Sequence, residues 1–333
     1  MRTPTIRDVA EAAGVGVATV SRVLNNSQQV SEATRQKVLS AIDALGFRPN
    51  SAARTLVGGR AYTLGVLSPL FTIPSFVERL NGIQAVLDAS EYDLVLYSVR
   101  HPEHMQRRLH DIVTGRRVDG LLVLTMPFDE AAIHASAPDF PIVAVAEQPI
   151  QHYPHVCIDN FEGGRLATEY IIQNDHALIG FLGDFLDDQL GVFVSQQRFE
   201  GFKAAMNAAG LPYLDEWCLF GPRTQVGAAQ LVKTMLREPD RPTAIVAASD
   251  TLAFGAMQAA RELHLRVPQD LAIIGFDDIP AAATMGLTTV HQPLYLSGQL
   301  AAERLLEWVA LGAVAPELHQ MQLPLEIVRR ETV

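Results

Sequence analysis

The sequence predicts an α/β protein: an N-terminal three-helix helix-turn-helix domain with a short hinge helix, then a two-lobed core of doubly wound parallel sheets. Three observations carry this. At 333 residues the chain is too long for one ordinary domain. Its first fifty residues hold three short amphipathic stretches with a tight turn between the first two. From Tyr62 onward, short apolar runs alternate with helical patterns, which is the signature of parallel sheets covered on both faces.

Composition narrows the class. A hydrophobic fraction of 48% supports sizeable cores. Apolar runs such as Asp119–Leu124 are strand-length, far short of a membrane span. The opening Met1-Arg-Thr-Pro-Thr-Ile6 lacks the apolar core of a signal peptide, so a cytoplasmic protein with no membrane partner is expected. Cys157 and Cys218 are then expected to be two reduced, packed thiols. The net charge of −11 argues against nucleic acid, but its distribution does not. Residues 1–60 carry eight Arg and Lys against four Asp and Glu, a +4 head on a body of −15. Such a head attracts phosphate locally while the acidic body stays off it.

The head reads element by element. Thr5 followed by Asp8 caps a helix over Ile6–Ala13, with Ile6, Val9, Ala10 and Ala13 on one face. Gly14 breaks it and Val15-Gly16 turns the chain. A second helix covers Val17–Asn25, its inner face formed by Val20, Val23 and Leu24. Ser31 caps a third over Glu32–Leu45, which Gly46 ends. This is a helix-turn-helix, whose second helix enters the DNA major groove by its N-terminal part. Val17, Ala18, Ser21 and Arg22 lie opposite its core face. Arg22 suits a bidentate contact to guanine, and Val17 and Ala18 suit thymine methyls. A merely solvated Arg22 fits the spacing equally well. Gly14-Val-Gly16 is no dinucleotide loop, because Thr19 stands at the third glycine and no strand precedes it.

Residues 50–56, Asn-Ser-Ala-Ala-Arg-Thr-Leu, make about two helical turns, too few to be stable alone in water. Such a segment suits ordering on a partner, with Leu56 as a wedge in the minor groove; an ordinary interdomain linker is the plainer alternative.

At this point the residues resemble the LacI/GalR family of bacterial repressors. The likeness rests on Thr5-Ile-Arg-Asp-Val-Ala10, Gly14-Val-Gly-Val-Ala-Thr-Val-Ser-Arg-Val-Leu-Asn25 and Arg48-Pro-Asn-Ser-Ala-Ala-Arg-Thr-Leu56, and it extends over nearly the whole chain. It implies a DNA-contacting set of Thr5, Val17, Ala18, Thr19, Ser21, Arg22, Asn50, Ala53, Arg54 and Leu56. It also implies a hinge helix over residues 50–56. Gly16 departs from the family's usual Ser and weakens the cap of the recognition helix by a few tenths of a kcal/mol.

In the body, strands are expected over Thr63–Leu67, Asp93–Ser98, Gly120–Leu124, Ile142–Ala146, Leu178–Leu182, Trp217–Phe220, Ala244–Ala247 and Leu271–Phe276. Helices are expected over Phe76–Ala89, Glu162–Gln173, Gln196–Ala209, Gly227–Leu236 and Thr251–Leu263. The domains are then 1–48 for the helix-turn-helix, 49–60 for the hinge and 61–333 for the core. The core divides into a lobe of about 61–160 plus a C-terminal crossover and a second lobe of about 161–290. A cleft between two such lobes, at the strand C-termini, is where α/β folds bind ligands.

Residues after the strands supply the candidates Ser68, Phe76, Arg198, Arg223, Ser249 and Asp277. Carboxylates and guanidiniums converging there suit vicinal hydroxyls, and Phe76 suits a sugar or base face. Plainer readings stand beside these: Asp250 and Asp278, and Asp277 in the same way, as helix caps or turn formers, and Arg198 as a surface ion-pair partner. The body resembles the family's periplasmic-binding-protein-like core, which implies effector contacts at Asp277 in Ile273-Ile-Gly-Phe-Asp-Asp278, at Arg198 in Gln197-Arg-Phe-Glu-Gly-Phe202 and at Phe76. Ser249 and Ala146 replace the family's frequent Asn and Asp, and Arg223 or Thr224 is a substitute polar contact.

His101 with His104 and His152 with His155 sit beside prolines in expected loops without zinc-ligand companions, so no metal is expected. No nucleophile elbow or phosphate-cradling loop occurs, and no cofactor or enzyme activity is expected. The reading is a homodimeric regulator that binds a palindromic operator in double-stranded DNA. Its effector is expected to be a carbohydrate, with a nucleobase or nucleoside as the alternative. A solute-binding protein for transport shares the two lobes but has no use for a helix-turn-helix.

Overall fold

The computed structural model describes residues 4–24, 29–47, 60–69, 71–99, 102–146, 150–185, 194–312 and 320–333. The chain divides into two compact units, residues 1–63 with Arg117–Asp119 and the remainder.

In the first unit, helices α1 (Ile6–Ala13), α2 (Val17–Leu24) and α3 (Glu32–Leu45) enclose Val9, Ala10, Val20, Val23, Val38, Ala41 and Phe47. These are the residues the 3–4 spacing brings to one face of each helix. Gly14 and Gly46 stop α1 and α3 at φ of 64° and 60°, a left-handed conformation costly for any residue with a Cβ. Ser31 Oγ accepts from Thr34 N at 3.4 Å and caps α3. The amides of Ala61 and Tyr62 both donate to the Asp119 carboxylate, at 2.8 and 2.6 Å.

The second unit holds two six-stranded sheets. The first has the order β11-β5-β4-β3-β1-β2, built from β1 (Thr63–Ser68), β2 (Asp93–Ser98), β3 (Gly120–Leu124), β4 (Ile142–Ala146), β5 (His155–Cys157) and β11 (Gln320–Gln322). The second has the order β12-β10-β9-β8-β6-β7, from β6 (Ile179–Asp184), β7 (Cys218–Gly221), β8 (Ala244–Ala247), β9 (Ala272–Asp277), β10 (Thr288–His291) and β12 (Glu326–Val328). Among the pairings of the described residues from β3 to β12 and between β1 and β3, only β12 runs antiparallel to its neighbour. The chain passes from the second sheet to the first after His291 and returns for β12.

The expected strands β6 and β9 run two residues and one residue further than their apolar runs, to Asp184 and Asp277. Their ladders continue to those carboxylates, as the pairs Asp184↔Gly221 and Asp277↔His291 show. The helices are α4 (Pro74–Leu87), α5 (Pro102–Thr114), α6 (Glu130–Ser136), α7 (Asn160–Gln173), α8 (Val194–Ala208), α9 (Gln225–Leu236), α10 (Asp250–Glu262), α11 (Pro280–Thr284) and α12 (Leu294–Leu311). Of these, α5, α6, α11 and α12 have no counterpart in the sequence reading, nor do β5, β10, β11 and β12.

Each lobe packs one pair of helices backbone to backbone. Between α4 and α12, a Cβ on Gly82 would fall 2.0 Å from Tyr295 O, and one on Gly298 2.0 Å from Arg79 O. Between α7 and α8, Gly164 bears the same relation to Arg198 O and Gly201 to Phe161 O, again 2.0 Å. Only glycine permits this approach.

Candidate functional site

Between the lobes, at the carboxyl ends of the strands, lies a cleft of about 390 Å³, within the range of small-molecule sites. Phe76, Arg198, Arg223, Ser249 and Asp277 all line it. Ser68 does not. The first strand continues through it, Val99 N donates to its carbonyl at 3.2 Å, and its side chain is buried in the sheet rather than on the wall.

Asp277 closes β9 with φ 119°, a backbone L-residues rarely adopt, and Asp278 follows at 56°. The turn sends the two carboxylates to different partners. Asp277 Oδ1 lies 3.6 Å from Arg198 Nη1 and accepts from the Gln292 amide. Asp278 accepts from Arg330 Nη2 at 2.6 Å and lies 2.9 Å from His291 Nδ1, away from the cleft's lining.

Arg198 is buried, not a surface ion-pair partner. Its Nε donates to Asn160 Oδ1 at 2.9 Å, its Nη1 donates to Ala248 O at 2.5 Å, and its guanidinium sits 3.4 Å over the Phe276 ring. Four contacts hold the guanidinium in one orientation on the cleft wall. Ser249, rather than Asp250, caps α10, its Oγ accepting from Leu252 N at 3.3 Å. Asp250 is wholly buried and accepts from Ile279 N at 2.9 Å and Thr289 Oγ1 at 2.6 Å. Burial first, and the Asp277 charge second, push its carboxyl well above the usual carboxylate range.

Among the lining residues that escaped the sequence reading are Arg79, Thr125, Asp184, Gln292 and Phe254. Arg79 Nη2 donates to Gln292 Oε1 at 3.2 Å. Asp184 Oδ2 accepts from Arg223 Nε at 2.8 Å and from Ser195 Oγ at 3.0 Å. The one available signal was position, since Thr125 and Asp184 both stand at the carboxyl ends of strands.

On α2, Val17, Ala18 and Arg22 are exposed and Thr19 and Ser21 half-buried, while Val20 and Val23 face the core. Val17 is 42% exposed, outside the helical core. Thr5 directs both its N–H and its hydroxyl to Asp8 Oδ2, each at 2.7 Å, so in this geometry it has no donor left for a phosphate. Asn50, Ala53, Arg54 and Leu56 lie outside the described residues, as does the expected hinge helix.

Of the histidines expected in loops, His152 lies in the irregular segment before β5, as expected, and two others do not. His104 is on α5, and His155 is buried on β5, where its Nδ1 lies 3.4 Å from Tyr153 O. His101 is outside the described residues. Among the described residues no group of three or more His, Cys, Asp and Glu is placed to hold a metal, and no helix is long and apolar enough to cross a membrane. Both cysteines are free thiols, in different sheets, and burial pushes Cys218 up to about 11.

The family profile described as bacterial regulatory proteins, lacI family, matches residues 5–50, and that of a periplasmic binding protein-like domain matches residues 168–333. The chain is 35% identical over 337 residues to the HTH-type transcriptional repressor PurR of Vibrio vulnificus (strain CMCP6), covering 99% of this chain and 98% of that one. It is 34% identical over 332 residues to the ribose operon repressor of Escherichia coli (strain K12), covering 98% of each. Among solved structures it is similar to the lac repressor dimer bound to operator and the anti-inducer ONPF, with a TM-score of 0.83, 27% identity and 99% of each chain covered.

Proposed function

The chain belongs to the lacI family of bacterial regulatory proteins, a transcriptional regulator with a DNA-binding helix-turn-helix and an effector-binding core, and from that premise we propose that it is a repressor whose effector is an uncharged carbohydrate. The observation that carries the carbohydrate is the cleft's pairing of fixed carboxylates with fixed guanidiniums, Asp277 with Arg198 and Asp184 with Arg223, beside the rings of Phe76 and Phe254. A sugar hydroxyl donates and accepts at once, so it answers both members of such a pair, and the rings suit its apolar face. Phe76, Arg198, Arg223, Ser249 and Asp277 are the proposed effector contacts, joined by Asp184.

Val17, Ala18, Thr19, Ser21 and Arg22 read the operator, with Arg22 on guanine. Two copies of the chain bind a palindrome. At the edge of the first sheet, Leu96 on β2 is exposed, as is Val77 on α4, and this apolar edge is the proposed dimer face. The effector alters the angle between lobes and with it operator affinity, and acting on transcription places the protein in the cytoplasm.

Fluorescence anisotropy on an operator selected from a random library tests this, with D-ribose, D-glucose, cellobiose and hypoxanthine added in turn. Specific, salt-sensitive binding that one sugar changes supports the reading. Specific binding changed only by hypoxanthine keeps the regulator and overturns the carbohydrate. No specific binding overturns the operator-reading assignment.

A further inference from the structure

We propose that Asp184 is the residue by which the cleft selects its effector, and that its Oδ1 takes a hydrogen bond from one hydroxyl of an uncharged polyol. This rests on the carbohydrate reading and names the atom that reads it. Asp184 ends β6 on the cleft wall and is only 9% exposed. One carboxylate oxygen is fully occupied: Oδ2 accepts from Arg223 Nε at 2.8 Å and Ser195 Oγ at 3.0 Å. The main chain locks the same unit, since Asp184 N donates back to Ser195 Oγ at 3.1 Å. Held from two sides, the group has no freedom to turn. Its second oxygen, Oδ1, is buried and has no hydrogen-bond partner among the described residues.

Buried polar atoms are satisfied in nearly all folded proteins, and an orphan on a residue that lines a cleft points to a partner that arrives with the ligand. Paired with a guanidinium, this carboxylate accepts and does not donate, so the arriving group is a donor. An anionic group on the ligand at that point meets a like charge instead.

The other lobe presents the complement. Thr125 follows β3, is 3% exposed, and its Oγ1 likewise has no partner among the described residues. It adopts φ 49°, costly for a β-branched residue, while its amide donates to Val145 O at 2.7 Å. A hydroxyl donates or accepts, so the two lobes together offer one fixed acceptor and one group that serves either way. Adjacent hydroxyls on a sugar ring match that pattern, and a ligand that satisfies both orphans holds the lobes at one angle.

The test is calorimetric titration of the full chain and its Asp184→Asn variant with D-ribose, D-glucose, cellobiose and hypoxanthine, then with monodeoxy analogues of whichever sugar binds. Asn keeps an oxygen for Arg223 and Ser195 and places a donor where Oδ1 stood. The bound sugar is expected to lose about tenfold to hundredfold in affinity, the worth of a hydrogen bond to a charged acceptor. One deoxy analogue is expected to cost the unmodified chain the same factor and the variant almost nothing. A merely structural role spreads the loss over all analogues equally, and that result overturns the assignment, as does undiminished sugar binding. Ser195→Ala, which frees Oδ2 and leaves Oδ1 in place, is expected to weaken the sugar yet preserve the ranking of analogues; a ranking lost with Ser195→Ala counts against Oδ1. If hypoxanthine binds and no sugar does, the carbohydrate reading falls, and Asp184 stands or falls separately by whether Asp184→Asn weakens hypoxanthine tenfold. A crystal soaked in glycerol decides the matter without knowledge of the effector: a glycerol hydroxyl on Oδ1 supports the proposal, and a protein donor there overturns it.

Discussion

Gln292 donates its side-chain amide to Asp277 Oδ1 and accepts on its own oxygen from Arg79 Nη2 at 3.2 Å, so one amide ties the end of β9 in one lobe to α4 in the other. It stands where the chain passes from β10 to α12, at the crossover itself. Gln292→Ala leaves two buried charged groups short of a partner. The core is expected to lose about 1–3 kcal/mol of stability, read from urea unfolding. An unchanged midpoint would mean that water replaces the amide without cost.

Asp250 ties stability to pH. Burial and the neighbouring Asp277 charge raise its carboxyl in the folded chain, so the folded state keeps a proton that the unfolded state has lost. Its contribution is therefore present at low pH and declines from about pH 4 upward until the raised folded value is passed. Asp250→Asn removes the titration, and calorimetric melting across that window is expected to give a flatter profile than the unmodified chain. A profile of the same slope would place the titration elsewhere.

At Gly164 and Gly298 the close helix approach admits no methyl group. Either glycine replaced by alanine drives a Cβ into backbone rather than into a side chain that can turn aside. A loss of about 3 kcal/mol is expected for each by chemical denaturation. Gly16→Ser is the contrasting case, because a Cβ there meets nothing within 4 Å, and the new hydroxyl caps α2 for a gain of a few tenths of a kcal/mol.

Leu96 is 47% exposed on the edge strand β2. Leu96→Glu places like charges across the proposed dimer face. Sedimentation equilibrium is expected to show monomer, with operator affinity falling in parallel. A variant still dimeric would put the second copy on another face.

Arg22→Ala is expected to cost about 1–3 kcal/mol on the selected operator and to relax base preference at one position of each half-site. Equal losses on selected and random DNA, in the same anisotropy titration, would leave Arg22 a phosphate contact.

The head was legible almost to the residue, because caps and glycine stops mark helix ends in local chemistry: Thr5, Gly14, Ser31 and Gly46 bound α1 and α3 as read. The long strands followed from their apolar runs. Three-residue strands such as His155–Cys157 carry too few alternations to be seen, and their pairing depends on neighbours far away in the chain. The cleft divided in the same way. Asp277 and Arg198 stood out by motif, but Asp184 was lost because the apolar run of β6 ends at Leu182, two residues before the ladder does. Arg79 and Gln292 meet across 213 positions of sequence, a proximity only the crossover creates.

The glycine crossings give the core its mechanics. In each lobe one of the two carbonyls pressed against a glycine belongs to an arginine of the cleft, Arg79 on α4 and Arg198 on α8. At the glycine itself no side chain separates the two backbones. On the proposed reading, a pull on either guanidinium is passed directly to the second helix, and each half would swing like one blade of a pair of callipers. The information such an effector would deliver is the opening between the blades.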